Sequence, residues 1–157
     1  MNDTAKSVYV VLHNVHSVSK VVETAQVVYG LGFSNFIVSK AEGSAAQTGV
    51  PDANRFAVKM KSSFMVMPDL RDVLEVLGVE TPLLITSPVL TKERVNFETL
   101  AERVRSGERT VIVLSGSNSS FSRKEMDMGE CVSLEARVDI GPAGTAAVVL
   151  HRILYSR

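Results

Sequence analysis

The chain predicts an α/β fold with a mainly parallel sheet and helices on both faces, and three observations carry that expectation. Short runs of Val, Ile and Leu recur along the sequence and alternate with segments whose apolar residues fall at spacings of three and four. Hydrophobic residues make up 45% of the 157 positions but aromatics only 6%, with no Trp, which suits aliphatic strands buried on both faces. The last third reads as a strand at Val111 to Leu114, a turn at Ser115-Gly116-Ser117, a polar loop through Phe121-Ser122-Arg123, and a Gly141-Pro142-Ala143-Gly144 turn opening a helix. Such corners present backbone N–H and C=O groups to small polar molecules, so they point to a cofactor site.

The elements follow in order. Ser7 to Leu12 is the first strand, with a turn at His13-Asn14-Val15-His16-Ser17. Ser17 to Tyr29 is a helix, with Val18, Val21, Val22, Ala25 and Val28 on one face. Gly30 and Gly32 end it, and Phe33 to Ser39 is the second strand. Ala41 to Val50 is a small-residue loop, Pro51 to Lys61 a short helix, and Phe64 to Met67 a third strand closed by Pro68. Leu70 to Leu77 is a helix stopped by Gly78, with Asp69 and Asp72 as capping carboxylates at its start. Leu83 to Thr86 is a fourth strand, Phe97 to Arg105 a helix, and Cys131 to Leu134 a late strand. No linker or repeat interrupts residues 1–157, which form one domain.

Composition excludes several classes. Basic and acidic residues number 17 each, so global charge does not announce a nucleic-acid partner. The single Cys131 rules out an internal disulfide and suits a reducing cytoplasm. No apolar run reaches the ~18 residues of a membrane span. The three-glycine dinucleotide fingerprint and the phosphate-loop Gly-Lys-Ser/Thr are both missing. His13 and His16 lie three apart without a Cys or third His nearby, so zinc is not expected. No Glu is followed two positions later by Lys, which removes a common nuclease signature. No metal is expected, and a metal-dependent nuclease is disfavoured for want of a carboxylate cluster.

Read in order, the motifs resemble the SPOUT superfamily of RNA methyltransferases, its SpoU-like branch in particular. That family places Asn and Arg at the start of its first helix and Phe-Gly before its second strand; Asn14, Lys20 and Tyr29-Gly30 stand in similar places here. Its second motif, strand-Gly-x-Glu-x-x-Gly-Leu-Ser, corresponds to Val111 through Ser122, with Asn118 where the family has Glu. Its third, an apolar strand, a small-residue turn and an Ala-rich helix, corresponds to Ile140 through Leu150, with Gly141-Pro142-Ala143 in place of Ser-x-Asn. The whole chain looks closest to short archaeal proteins that carry a "RecB-family nuclease" label.

The resemblance implies a trefoil (α/β) knot at the C-terminus and S-adenosylmethionine held there. The implied contacts are Thr86, Leu114, Ser115 and Gly116 together with Leu134, Ile140, Gly141, Pro142 and Thr145. It also implies catalytic roles for Asn14, Lys20 and Ser122. RNA contacts (tRNA or rRNA) fall on His16, Ser44, Gln47, Arg123 and Lys124. A homodimer through the first and last helices is implied too. Separately, the apolar stripes of Ser17 to Tyr29 and Ala146 to Tyr155 are read as placing Val148, Val149, Ile153 and Tyr155 toward the partner. Two functions stay open: a methyltransferase, or a non-catalytic RNA- or nucleotide-binding module on the same fold.

Overall fold

The computed structural model describes residues 3–155. Six strands form one parallel sheet: β1 (Val8–Val15), β2 (Asn35–Ala41), β3 (Ser63–Met67), β4 (Leu83–Ile85), β5 (Thr110–Ser115) and β6 (Glu130–Val132). Their order across the sheet is β3-β2-β1-β5-β4-β6. The chain therefore runs outward from β1 to one edge, then returns to build the other half. The winding reverses beside β1, the place where open α/β sheets leave a crevice at the strand carboxyl ends.

The helices are α1 (Val18–Gly30), α2 (Val50–Lys59), α3 (Leu70–Leu77), α4 (Phe97–Arg105), α5 (Arg123–Met126) and α6 (Gly141–Tyr155). Strand alternation divides the interior into two layers. Val8, Val10 and Leu12 of β1, with Ile112 and Leu114 of β5, meet α1, α2, α4 and α6 through Val21, Ala57, Val104 and Leu150. Val11, Ile37, Leu84, Val111 and Val113 face the opposite way, against Leu70, Val73 and Leu77 of α3 and Phe121. Each fully buried aliphatic side chain contributes about 1.5–3 kcal/mol relative to exposure.

Helix ends follow local chemistry. Ser17, Asp69 and Asn96 cap α1, α3 and α4 by accepting from Lys20 N, Leu70 N and Thr99 N. Ser122 and Glu125 form a reciprocal capping box on α5. The Tyr29 hydroxyl donates to Ser63 O at 2.7 Å, tying the end of α1 to β3.

Several expectations need correction. The first strand continues three residues past Leu12, so His13 lies in β1 and not in a turn. Asn14 adopts φ 61°, which breaks the alternation and sends Val15 into the α1/α6 layer. The small-residue segment is no loop: Ala45–Gly49 forms a π-helical turn running into α2. The last helix begins at Gly141 itself, with Pro142 buried in its first turn. Residues 123–126, read as loop, form α5. Val149 and Ile153, expected to face a partner, are buried in the chain's own core, while Val148 and Tyr155 are exposed as expected.

Gly116 closes β5 against the end of β1. A Cβ there would stand 2.6 Å from Val15 Cβ and 2.8 Å from Asn14 O. Gly116→Ala is therefore expected to cost about 1–3 kcal/mol by overpacking. Urea unfolding of the variant against wild type measures it; an unchanged midpoint would show that the two strand ends do not meet this closely.

Candidate functional site

The carboxyl ends of β4 and β5 and the first turn of α6 enclose two adjoining crevices. One is lined by Ile85, Ser87, Leu114, Ser115, Ser120, Asp139, Gly141, Pro142 and Thr145. The other is lined by Thr86, Pro88, Leu134, Ala136, Val138 and Ile140, and shares Ile85, Asp139 and Thr145 with the first. All residues read from the sequence as cofactor contacts lie here except Gly116, whose place is explained by packing. Each holds free space of only about 10 Å³, room for roughly one water, and their shared walls make them one compound crevice that is nearly closed.

The walls are built from polar backbone and small hydroxyls. Gly141 has φ +83°, and a Cβ added there would meet nothing within 4 Å, so the backbone at the start of α6 faces open space. Asp139 Oδ1 accepts from Gly141 N at 2.8 Å. Pro142 has no N–H, so the first turn offers the amides of Ala143 and Gly144, which have no partner within the helix and carry the positive end of its dipole. Thr86 Oγ1 and Ser120 Oγ share a buried hydrogen bond of 2.7 Å, pinning the β5–α5 loop to the end of β4. Ser120 holds φ 62° to make that turn. Asp139 was passed over in the sequence because a single Asp before a Gly-Pro turn looks like an ordinary loop residue.

Lys20 reaches across from α1. Its Nζ donates to Gly116 O at 3.1 Å and to Asn118 Oδ1 at 3.4 Å. The residues standing at the family's first-motif Arg and second-motif Glu thus meet in space. Ser122 is committed differently: its hydroxyl accepts from Glu125 N at 3.1 Å as the cap of α5. Arg123 and Lys124 are exposed on the outer surface of that turn. His16 and Ser44 adjoin one another, Ser44 Oγ donating to His16 O at 3.1 Å, and Gln47 is exposed on the π-helical turn.

On the other face of the same edge lies a group that spacing did not reveal. His13, wholly buried, donates through Nε2–H to Glu125 Oε2 at 2.5 Å, and Asp69 Oδ1 stands 3.9 Å from the same nitrogen. Ser39 Oγ bonds Nδ1 at 2.8 Å. Burial by itself would raise the Glu125 carboxyl. Hydrogen bonds from the Ser122 amide and from His13, with the charge of the imidazole, outweigh it and hold the group below its ordinary value. The missed signals were a His inside an apolar strand and a Ser-x-x-Glu box.

The fold by itself defines a class: its α/β sheet resembles that of SpoU-type methyltransferases. A solved structure of a provisionally named methyltransferase from Bordetella pertussis Tohama I superposes with a TM-score of 0.75 at 12% identity, covering 98% of this chain and 95% of that one. The TrmH/SpoU tRNA modifying enzyme of A. aeolicus superposes at 0.65 with 15% identity, covering 94% and 74%. Sequence gives a different label. Residues 43–152 match the family described as "RecB-family nuclease (DUF2122)", and the chain belongs to that family. A relative from Aeropyrum pernix, provisionally named type II restriction enzyme ApeKORF2002P, is 36% identical over 148 residues, covering 92% of this chain and 90% of its own length.

Cys131 bears on whether a thiol takes part. Burial first, then the nearby Asp127 charge, push its pKa above the usual thiol range. At pH 8 its reaction with a disulfide reagent is expected to be slower than that of the same thiol in urea-unfolded chain. A faster native rate would mark an activated cysteine.

Proposed function

We propose that this chain is an S-adenosylmethionine-dependent RNA methyltransferase of SPOUT type, with its cofactor in the compound crevice and the C-terminal knot around it. The observation that carries the reading is the convergence of residues 85–87, 114–120 and 139–145 on one open corner at the strand carboxyl ends. The likeness in fold to SpoU-type enzymes supports it. No helix among the described residues is long and apolar enough to cross a membrane.

The chemistry of the residues present suits such a cofactor, and the two nearly closed crevices would have to open to admit it. Open space above Gly141 leaves room beside the first turn of α6, whose amide donors suit acceptor atoms of a purine. Asp139 lines both crevices, and its carboxylate favours a cation between them. The bound cofactor would supply an electrophilic methyl group on a sulfonium. The chain's own part is to orient the target against it and to hold the loop that faces it. Lys20 performs the second task by bracing Gly116 and Asn118. Asn14, at the end of β1, and Ser122, at the start of α5, flank the approach.

Calorimetry with S-adenosylmethionine is expected to show saturable binding, and absence of binding at millimolar cofactor would overturn the reading. Asp139→Asn keeps the cap on Gly141 but removes the negative charge. It is expected to weaken S-adenosylmethionine by about 1 kcal/mol or less while leaving the uncharged thioether product, S-adenosylhomocysteine, unaffected. Equal losses for both would place the sulfonium elsewhere.

The RNA surface comprises Lys20, Arg123 and Lys124, with His16, Ser44 and Gln47 across the edge. Removing Arg123 and Lys124 together is expected to flatten the log–log salt dependence of RNA affinity by roughly one unit per charge. An unchanged slope would move the RNA to another face. The exposed side of α6, with Val148, His151 and Tyr155, is the surface for a second copy. Light scattering at micromolar concentration is expected to give a dimer, and a monomer would refute that pairing.

A further inference from the structure

The carboxyl edge of the sheet holds a cluster that methyl transfer does not use. His13 of β1, Asp69 at the cap of α3 and Glu125 of α5 bring their ligand atoms within 4.8 Å of one another. The side chains grade from closed to open: His13 is 0% exposed, Glu125 14% and Asp69 56%. We propose that these three side chains form a binding site for a divalent transition-metal ion of the manganese or zinc class.

The donor set argues for that class. One imidazole nitrogen with two carboxylate oxygens suits borderline cations, whereas calcium asks for six to eight oxygens. His13 and Glu125 are steadied from behind, as ligands of bound metals are, while Asp69 is held through the same oxygen that faces His13. Ser39 Oγ holds His13 Nδ1 at 2.8 Å. The Ser122 amide donates to Glu125 Oε1 at 2.8 Å, and the Leu70 amide to Asp69 Oδ1 at 2.8 Å. Ser39 is a hydroxyl and accepts from Nδ1–H both while the charged ring pairs with Glu125 and once a cation takes the Nε2 lone pair.

The three ligand atoms, within 4.8 Å of one another, must draw together to share an ion. Bonds of about 2.0–2.2 Å to one ion set ligand atoms roughly 3–3.5 Å apart. Glu125 would withdraw slightly from its 2.5 Å approach to Nε2, and the exposed Asp69 would close in from 3.9 Å. The solvent side stays open for water or a phosphate oxygen. His13 pairs with Ser115 across the β1–β5 ladder, and Ser115 lines the crevice, so the ion would sit beside the cofactor corner on the opposite face of the sheet.

The experiment uses the full chain stripped of metal, without cofactor. Calorimetric titration with Mn²⁺ and Zn²⁺ is expected to show one saturable site per chain, and Co²⁺ to give visible ligand-field bands. Asp69→Asn and Glu125→Gln keep amide oxygens for the Leu70 and Ser122 caps, so both variants fold. Each is expected to bind at least about tenfold more weakly and to lose the cobalt bands. No saturable binding up to millimolar metal, or equal affinity in wild type and both variants, would overturn the site. The methyltransferase reading is tested separately by cofactor calorimetry on metal-free protein, so failure of one leaves the other measurable.

Discussion

The pairing of β1 with β5 sets the positions on which the rest of the carboxyl edge depends. It joins the first strand of the outward-running half to a strand of the returning half, and it fixes His13 opposite Ser115. On its other side β1 pairs with β2, which puts His13 opposite Ser39. A slip of one residue in either ladder would turn His13 toward the aliphatic layer and Leu12 toward α3. Two physical facts prevent that slip. The aliphatic residues of β1 are buried on both faces, and the bare backbone of Gly116 lets the end of β5 come against Val15 and Asn14 O.

The sheet edge is electrically divided by this arrangement. On the α6 side, free amides and a helix dipole favour acceptor atoms, tempered by the Asp139 carboxylate. On the α3/α5 side two carboxylates and an imidazole favour a cation. The two environments are separated by the thickness of the sheet and share the segment from Ser115 to Glu125. That segment is held at four points: by Lys20 on Gly116, by Thr86 on Ser120, by the buried Phe121, and by the Glu125–His13 bond.

The sequence made some features legible for plain reasons. The helices at Leu70–Leu77 and Phe97–Arg105 were read to the residue because each begins at a side-chain cap, and a glycine in the left-handed region closes the first. The convergence of residues 85–87, 114–120 and 139–145 was legible because parallel strands bring their carboxyl ends to one edge. The length of β1 was not, because Asn14 leaves extended geometry while the strand continues past it. The helical path of residues 45–49 was hidden because Ala, Gln, Thr and Gly carry no amphipathic stripe. The His13 cluster was hidden more deeply. Its members lie far apart in sequence, and each has a local explanation as strand interior, helix cap or capping box. Burial of Val149 and Ile153 was misread because a helix apolar around much of its surface does not declare which side meets its own sheet.

The central place of β1 also orders events during synthesis. β2 and β3 leave the ribosome soon after β1 and pair on one side of it, but β5 follows only after most of the chain has been made. Until then the other edge of β1 stands bare, a stretch of Val8-Tyr9-Val10-Val11-Leu12 with its ladder groups unpaired. Such an edge is a template for pairing with another nascent chain. The nearest apolar cover for it within the early half is α1, which packs on a face of the sheet and leaves the edge open. That edge is therefore covered only when Thr110–Ser115 arrives to pair with it.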